Sequence, residues 1–308
     1  MTMSAIKALL VTALLLGAGT ALAAERAVEI SPTGASDRFP AILLTPEGAG
    51  PFPAVVIMHD CSGLGPRSSG APRRWGEELA AQGYVVIIAD SFSPRGLPNG
   101  VCAEAPERLR TANHYVRVAD AYGALDFLRT LPIVDGRRVG IMGGSHGGSS
   151  TLASMVDPGD ARTSQALAKR DGFAAGIALY PSCGQRFGTW SVTRENGNRG
   201  PVTGYAGVYK PIAPLLILAG EVDDWTPAEP CVRMAAAARA QGLPLEIKVY
   251  PGAHHAFDSA NRVVFNPNRN NGYSDTGKGA TTGGQAEAWA DAKLQVRAFF
   301  ARHLKEMP

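Results

Sequence analysis

Residues 138–156 read RVGIMGGSHGGSSTLASMV: an apolar run, one serine set among four glycines, then helix-forming residues with no proline before Pro158. Glycine is abundant, with 36 in 308 residues, so a serine flanked by glycine on both sides two residues away arises by chance about 0.2 times in such a chain. Context therefore decides the reading. A G-x-S-x-G pattern makes a sharp turn that lifts a hydroxyl above a sheet edge only where a strand precedes it and a helix follows. Arg138–Met142 supplies a strand and 147–156 supplies a helix. Gly143 and Gly147 then acquire a steric reason, because they let a strained turn pack strand against helix without Cβ clashes. On this reading Ser145 is a candidate nucleophile; the alternative is one polar residue in a flexible glycine loop.

Apolar runs of strand length recur on both sides of this stretch, at 41–44, 54–59, 84–90, 173–180, 214–220 and 245–250. Most are continuous rather than alternating, as expected of strands covered on both faces. Helix-length stretches lie between several of them. One ends on Gly83, another spaces Val118, Tyr122, Leu125 and Leu128 on one stripe, and a third ends on Gly242. The tail sets Trp289, Ala292, Val296, Phe299 and Phe300 along one side. This alternation predicts an α/β fold with a mainly parallel central sheet flanked by helices on both faces, its site at the carboxyl ends of the strands. Two segments break the pattern, 188–207 and 258–284, both rich in Gly, Asn and Thr. They are expected as long loops that shape a substrate mouth or are surface insertions.

The chain opens with Lys7, an apolar stretch and Ala21-Leu22-Ala23, the pattern of a secretory signal peptide cut after Ala23. A membrane anchor needs about 20 apolar residues, and this stretch softens early into Gly17, Gly19 and Thr20. Removing residues 1–23 takes away Lys7 alone and lowers the formal charge from +3 to +2. Nothing in that balance points to nucleic acid or, after cleavage, to a membrane. The whole chain is 45% hydrophobic, and residues 24–308 carry no low-complexity linker and no internal repeat, which predicts a single domain. Oligomeric state leaves no mark.

Four cysteines, Cys61, Cys102, Cys183 and Cys231, lie beyond the leader without C-x-x-C spacing. In an exported chain this favours two disulfides over a zinc site. Of three connectivities we expect Cys61–Cys102 and Cys183–Cys231, free buried thiols being the alternative. No metal or organic cofactor is implied, since ligand spacing and phosphate-binding glycine motifs are missing from the sequence.

A serine nucleophile needs a base within hydrogen-bond reach and a carboxylate to orient that base, in the chain order Ser, acid, His. LILAGEVDDWTP places Asp223 and Asp224 just past a strand, and LEIKVYPGAHHAFD places His254 and His255 past the next. Together GGSHGG, LAGEVDDWTP and YPGAHHAFD, with HDCSGLG and DSFSPRG earlier, resemble the dienelactone hydrolase family of α/β-hydrolases from about residue 28 to the C-terminus. The best-known members carry cysteine at the turn, so Ser145 is a departure that moves the expected substrate away from dienelactone itself.

Carried over position by position, the resemblance selects Asp223 over Asp224 and His255 over His254. It implies an oxyanion hole from the backbone N–H groups of His146 and Cys61, the latter in the loop after the 54–59 strand, which a Cys61 disulfide would hold still. The His146 side chain is expected to pack or line the pocket, pointing away from the Ser145 hydroxyl. His59 and Asp60 either line the mouth or bond within their loop. Arg95 either meets a substrate carboxylate or pairs with Asp90, the internal pair being favoured, while Tyr180 and Trp225 are candidate pocket walls. The resemblance thus implies an exported serine hydrolase that cleaves a small carboxylic ester or lactone through an acyl-enzyme. Rival readings are a peptidase or acyltransferase on the same triad, and a non-catalytic periplasmic binding protein on a hydrolase scaffold, which would more comfortably have lost one of the three residues.

Overall fold

The structure is a computed structural model and describes residues 24–103, 110–157, 171–197 and 199–306. The expected leader, 1–23, lies outside the described residues.

An eight-stranded sheet forms the centre, in the order β1-β2-β4-β3-β5-β6-β9-β10. Its strands are β1 (Ala24–Ile30), β2 (Phe39–Thr45), β3 (Phe52–Met58), β4 (Val85–Ala89), β5 (Val134–Gly144), β6 (Ala175–Leu179), β9 (Leu215–Gly220) and β10 (Leu245–Tyr250). From β4 to β10 all neighbours pair in parallel, whereas β1 and β2 add an antiparallel edge. β1 has no counterpart among the apolar runs, because most of its residues are exposed.

The continuous apolar strands bury both faces, as their composition requires. In β3, Ala54, Val56 and Met58 join one apolar layer and Val55 and Ile57 the other; Leu215 and Ile217 alternate with Leu216 and Leu218 in the same way in β9. The first layer lies under α2 (Arg117–Thr130), α3 (His146–Met155) and α4 (Ala228–Arg239), and the second under α1 (Ala71–Ala81) and α5 (Ala286–Phe300). The stripe Val118, Tyr122, Leu125 and Leu128 is buried against the first layer, as its spacing predicts.

β3 pairs with β4 on one side and β5 on the other. Connections therefore leave in opposite directions at the carboxyl ends of β3 and β5, which opens the crevice where α/β sheets bind ligands. The two expected loops are instead two antiparallel hairpins, β7–β8 (Ser191–Asn196, Arg199–Ala206) and β11–β12 (Val264–Asn270, Lys278–Thr282). They stand off the main sheet over this crevice. Arg194 of β7 ties them together: its guanidinium donates to the carbonyls of Gly184, Gly200 and Gly272 at 2.8, 2.9 and 3.1 Å and lies 4.0 Å from the Tyr273 ring centroid.

Candidate active site

β5 ends at Gly144 and α3 begins at His146, so Ser145 alone makes the turn, with φ 55° and ψ −117°. That conformation is strained for a residue with a Cβ and costs about 1–3 kcal/mol. It is held by the Ser145 N–H donating to the Leu179 carbonyl at 2.9 Å and by the Ser145 carbonyl accepting from Ser149 N–H at 2.9 Å. The glycines are explained by close approach: a Cβ at Gly147 would lie 1.9 Å from the Met58 carbonyl oxygen, and one at Gly143 would lie 2.5 Å from the Gly147 backbone.

Asp223 sits in the turn after β9 and His255 in the turn after β10. The His255 ring bridges them to the serine, with Nδ1 2.8 Å from Asp223 Oδ2 and Nε2 2.9 Å from Ser145 Oγ. All three side chains are buried. Because ionised Asp223 can only accept, Nδ1 carries the ring proton and Nε2 is free to accept from the serine hydroxyl. Asp223 Oδ1 accepts the N–H groups of Trp225 and Thr226 at 2.9 and 2.8 Å, which fixes the carboxylate independently of the histidine.

Thr226, which the sequence reading passes over, completes this arrangement. Its Oγ1 lies 2.9 Å from His255 Nδ1, 3.0 Å from Asp223 Oδ2 and 3.0 Å from the Tyr180 carbonyl. The hydroxyl has one proton, given to the carbonyl or the carboxylate, and its oxygen accepts a share of the Nδ1–H. The signal for it is the Asp followed at the third position by a hydroxyl residue in DDWT, a turn motif closed by the side chain of Asp.

Asp224 does not approach the histidine. Its carboxylate accepts from the N–H and hydroxyl of Thr281 at 2.8 and 2.6 Å and anchors β12. His254 likewise stays apart, its Nδ1 buried with no hydrogen-bond partner among the described residues.

A cavity of about 750 Å³ opens at Ser145, lined among others by Cys61, Cys102, His114, His146, Trp225 and Tyr273. Among the described residues neither the Cys61 N–H nor the His146 N–H has a protein acceptor, and the first N–H groups of a helix have none within the helix. Disulfides join Cys61 to Cys102 and Cys183 to Cys231, the expected pairing. The first fastens the loop after β3 to the Val101 segment, whose N–H also donates to the Cys61 carbonyl at 2.6 Å.

Of the expectations for pocket residues, those for Arg95 and Tyr180 are corrected, while His59 takes the hydrogen-bonding alternative rather than lining the mouth. His59 is fully buried; its Nε2 accepts the Ser91 N–H at 3.1 Å, so its Nδ1–H donates to the Asp60 carbonyl at 2.8 Å, which ties the loop after β3 to the one after β4. Arg95 pairs with Asp120, not Asp90, through a fork of 2.7 and 2.9 Å, and Asp90 instead caps the N–H groups of Phe92 and Ser93 at 3.0 Å each. Tyr180 does not line the cavity at Ser145: it lies behind the triad, its ring 4.7 Å from that of His255 and its hydroxyl donating to Asp258 at 2.8 Å. Burial raises the Asp258 carboxyl above its ordinary range, offset in part by that hydroxyl and by Trp75 Nε1–H at 2.6 Å. Trp225 does line the cavity, 4.8 Å from the His255 ring, with its indole N–H on the Asn270 carbonyl at 2.7 Å.

Behind the serine turn lies a buried basic cluster. Arg117 is fully buried, and burial lowers its pKa to about 9. Burial first, then the Arg117 charge, pushes His114 down to about 4 and His59 and His146 well below the ordinary histidine range. All three histidines are thereby neutral at pH 7.

The profile of the dienelactone hydrolase family matches residues 39–304. The chain is 25% identical over 228 residues to a Bradyrhizobium protein named for 2-oxo-3-(5-oxofuran-2-ylidene)propanoate lactonase activity, covering 74% of this chain and 82% of that one. It is 27% identical over 233 residues to a Methylorubrum extorquens protein named as a carboxymethylenebutenolidase, covering 73% and 70%. A crystal structure of a Klebsiella pneumoniae protein named as a dienelactone hydrolase shares the fold, with TM-score 0.61 and 22% identity over 91% of this chain and 99% of that one. The chain belongs to the dienelactone hydrolase family of α/β-hydrolases and is a carboxylic ester hydrolase.

Proposed function

We propose that the protein is an exported serine esterase or lactonase working through an acyl-enzyme on a Ser145–His255–Asp223 triad. The observation that carries this reading is one imidazole within 2.9 Å of the serine hydroxyl on one nitrogen and within 2.8 Å of a carboxylate on the other. Ser145 Oγ attacks the acyl carbon as its proton passes to His255 Nε2, and Asp223 holds the tautomer and stabilises the imidazolium. The developing oxyanion is met by the N–H groups of His146 and Cys61; loss of one such donor costs about 3–4 kcal/mol of transition-state stabilisation. Collapse expels the alcohol, which takes the proton from Nε2. Water then attacks the acyl-enzyme by the reverse proton path and releases the acid.

Lactones are favoured alongside open esters because two relatives carry lactonase-type names. Export of a single domain, cut after Ala23, is supported by the composition of the leader and by two disulfides. A fluorophosphonate probe should label the wild-type protein and leave Ser145→Ala unlabelled. Equal labelling of both would sink the assignment. Rates on short p-nitrophenyl esters, aromatic lactones and peptide amides then rank the substrate classes.

A further inference from the structure

The residue after the serine carries a second group aimed at substrate. Arg117 Nη1 lies 2.8 Å from His146 Nδ1. A guanidinium donates and has no acceptor, so Nδ1 holds the lone pair and the ring proton sits on Nε2. Arg117 has no competing use for that donor: its Nε and Nη2 are buried without a hydrogen-bond partner among the described residues. The ring is held in place by edge-on contact with Phe92, centroids 5.6 Å apart, over which the Arg117 guanidinium also lies at 4.9 Å. The charged and titratable groups facing His146 are Arg117, His114 and His59; together with burial they keep it neutral, so the tautomer persists.

Nε2 itself is neither bonded nor buried. No acceptor meets it among the described residues, it is not among the buried unpartnered atoms, and His146 lines the cavity beside Ser145. The lining residues among those described include no Asp or Glu. Among the described lining residues, the cavity therefore offers a fixed neutral donor and the guanidinium groups of Arg186 and Arg194, with no carboxylate to receive a cation.

We propose that the His146 Nε2–H, locked by Arg117, is a specificity-determining donor that selects esters or lactones bearing an acceptor oxygen on the acyl or alcohol side of the scissile carbonyl. The inference rests on Ser145 being the nucleophile. It predicts preference for oxygen-bearing over purely alkyl substrates of the same shape, and discrimination against cationic ones.

Isosteric pairs test it: p-nitrophenyl methoxyacetate against butyrate on the acyl side, and 2-methoxyethyl against butyl acetate on the alcohol side. Intrinsic reactivity cancels when the kcat/KM ratio within each pair is compared between proteins. In His146→Phe at least one ratio should fall about threefold to tenfold, the worth of one hydrogen bond to a neutral acceptor, and His146→Gln, which restores a donor, should recover it. The double variant His146→Phe/Arg117→Met removes the orphaned guanidinium and serves if the single variant does not fold. ¹⁵N-histidine NMR of the wild type should show His146 as the Nε2–H tautomer at pH 7. Ratios unmoved in both pairs, or a His146 protonated on Nδ1 at pH 7, overturn the proposal while the hydrolase reading stands. No turnover and no fluorophosphonate labelling would instead overturn the hydrolase reading, and this proposal with it.

Discussion

Acidification should loosen this protein through the basic cluster behind the serine turn, and His114 gives the effect a size. Its ordinary pKa of 6.5 falls to about 4 in the fold, through burial and the Arg117 charge. Between those values the unfolded chain binds a proton that the folded chain refuses. The stability contribution is therefore complete above pH 6.5, declines as pH falls, and is exhausted near pH 4. Each unit of the gap is worth about 1.4 kcal/mol, so His114 alone removes about 3 kcal/mol across the window, a large share of the 5–15 kcal/mol typical of a folded domain. His59 and His146 act with the same sign. Urea unfolding followed by tryptophan fluorescence at pH 7, 6, 5 and 4.5 measures the loss. Carboxylate titrations cancel on comparison with His114→Phe, whose ring can keep the contacts with Tyr115 and Phe187 at 4.2 and 5.4 Å. Wild type should lose about 2–3 kcal/mol more than the variant between pH 7 and 4.5. Parallel curves for the two proteins would refute the reasoning.

Further tests probe the triad, the turn and the covalent links. Asp223→Asn should lower kcat by about 10⁴-fold, whereas Asp224→Asn, which only weakens the anchor to Thr281, should cost less than about tenfold; steady-state ester hydrolysis separates them, and the reverse order would transfer the acid role to Asp224. Gly147→Ala forces a methyl to 1.9 Å from the Met58 carbonyl and should lower stability by about 3 kcal/mol or prevent folding, read from thermal melts and soluble yield. Replacing both Cys61 and Cys102 by alanine opens a link between residues 41 apart in sequence; loop entropy puts the loss near 4 kcal/mol, and kcat should fall as well because the loop bearing the Cys61 N–H loses its anchor.

The parallel strands and their helices were legible in the sequence because burial on both faces demands unbroken apolar runs, as in Val85–Ala89 and Leu215–Gly220. The hydrogen-bonded trio proposed as the triad was legible because Ser145, Asp223 and His255 each stand a few residues past such a run. β1 was hidden because an exposed edge strand carrying Glu25, Arg26 and Glu29 has no apolar signature. The hairpins were hidden by their Gly, Asn and Thr content; in the first, Asn196 still pairs with Arg199 as the end of β7, and the chain leaves the strand through Gly197 at φ 70°. Arg95 found Asp120 because the start of α2 folds back beside its loop, a proximity that local spacing does not encode. Tyr180 turned from the cavity because the strand alternation stops at Leu179 and the next residue adopts φ 37°. The donor role of His146 depends on Arg117, 29 positions earlier and buried on another helix.

The roof over the cavity is fastened at both ends of its function. Arg194 clamps the two hairpins to each other, while the bonds from Asn270 and Thr281 to Trp225 and Asp224 hold one of them to the bend that carries Asp223. On the proposed triad, a guest too bulky for the space would pull on that bend as it lifts the roof, so misfit should register in kcat as well as in KM. Reshaping the hairpins should therefore alter turnover together with binding.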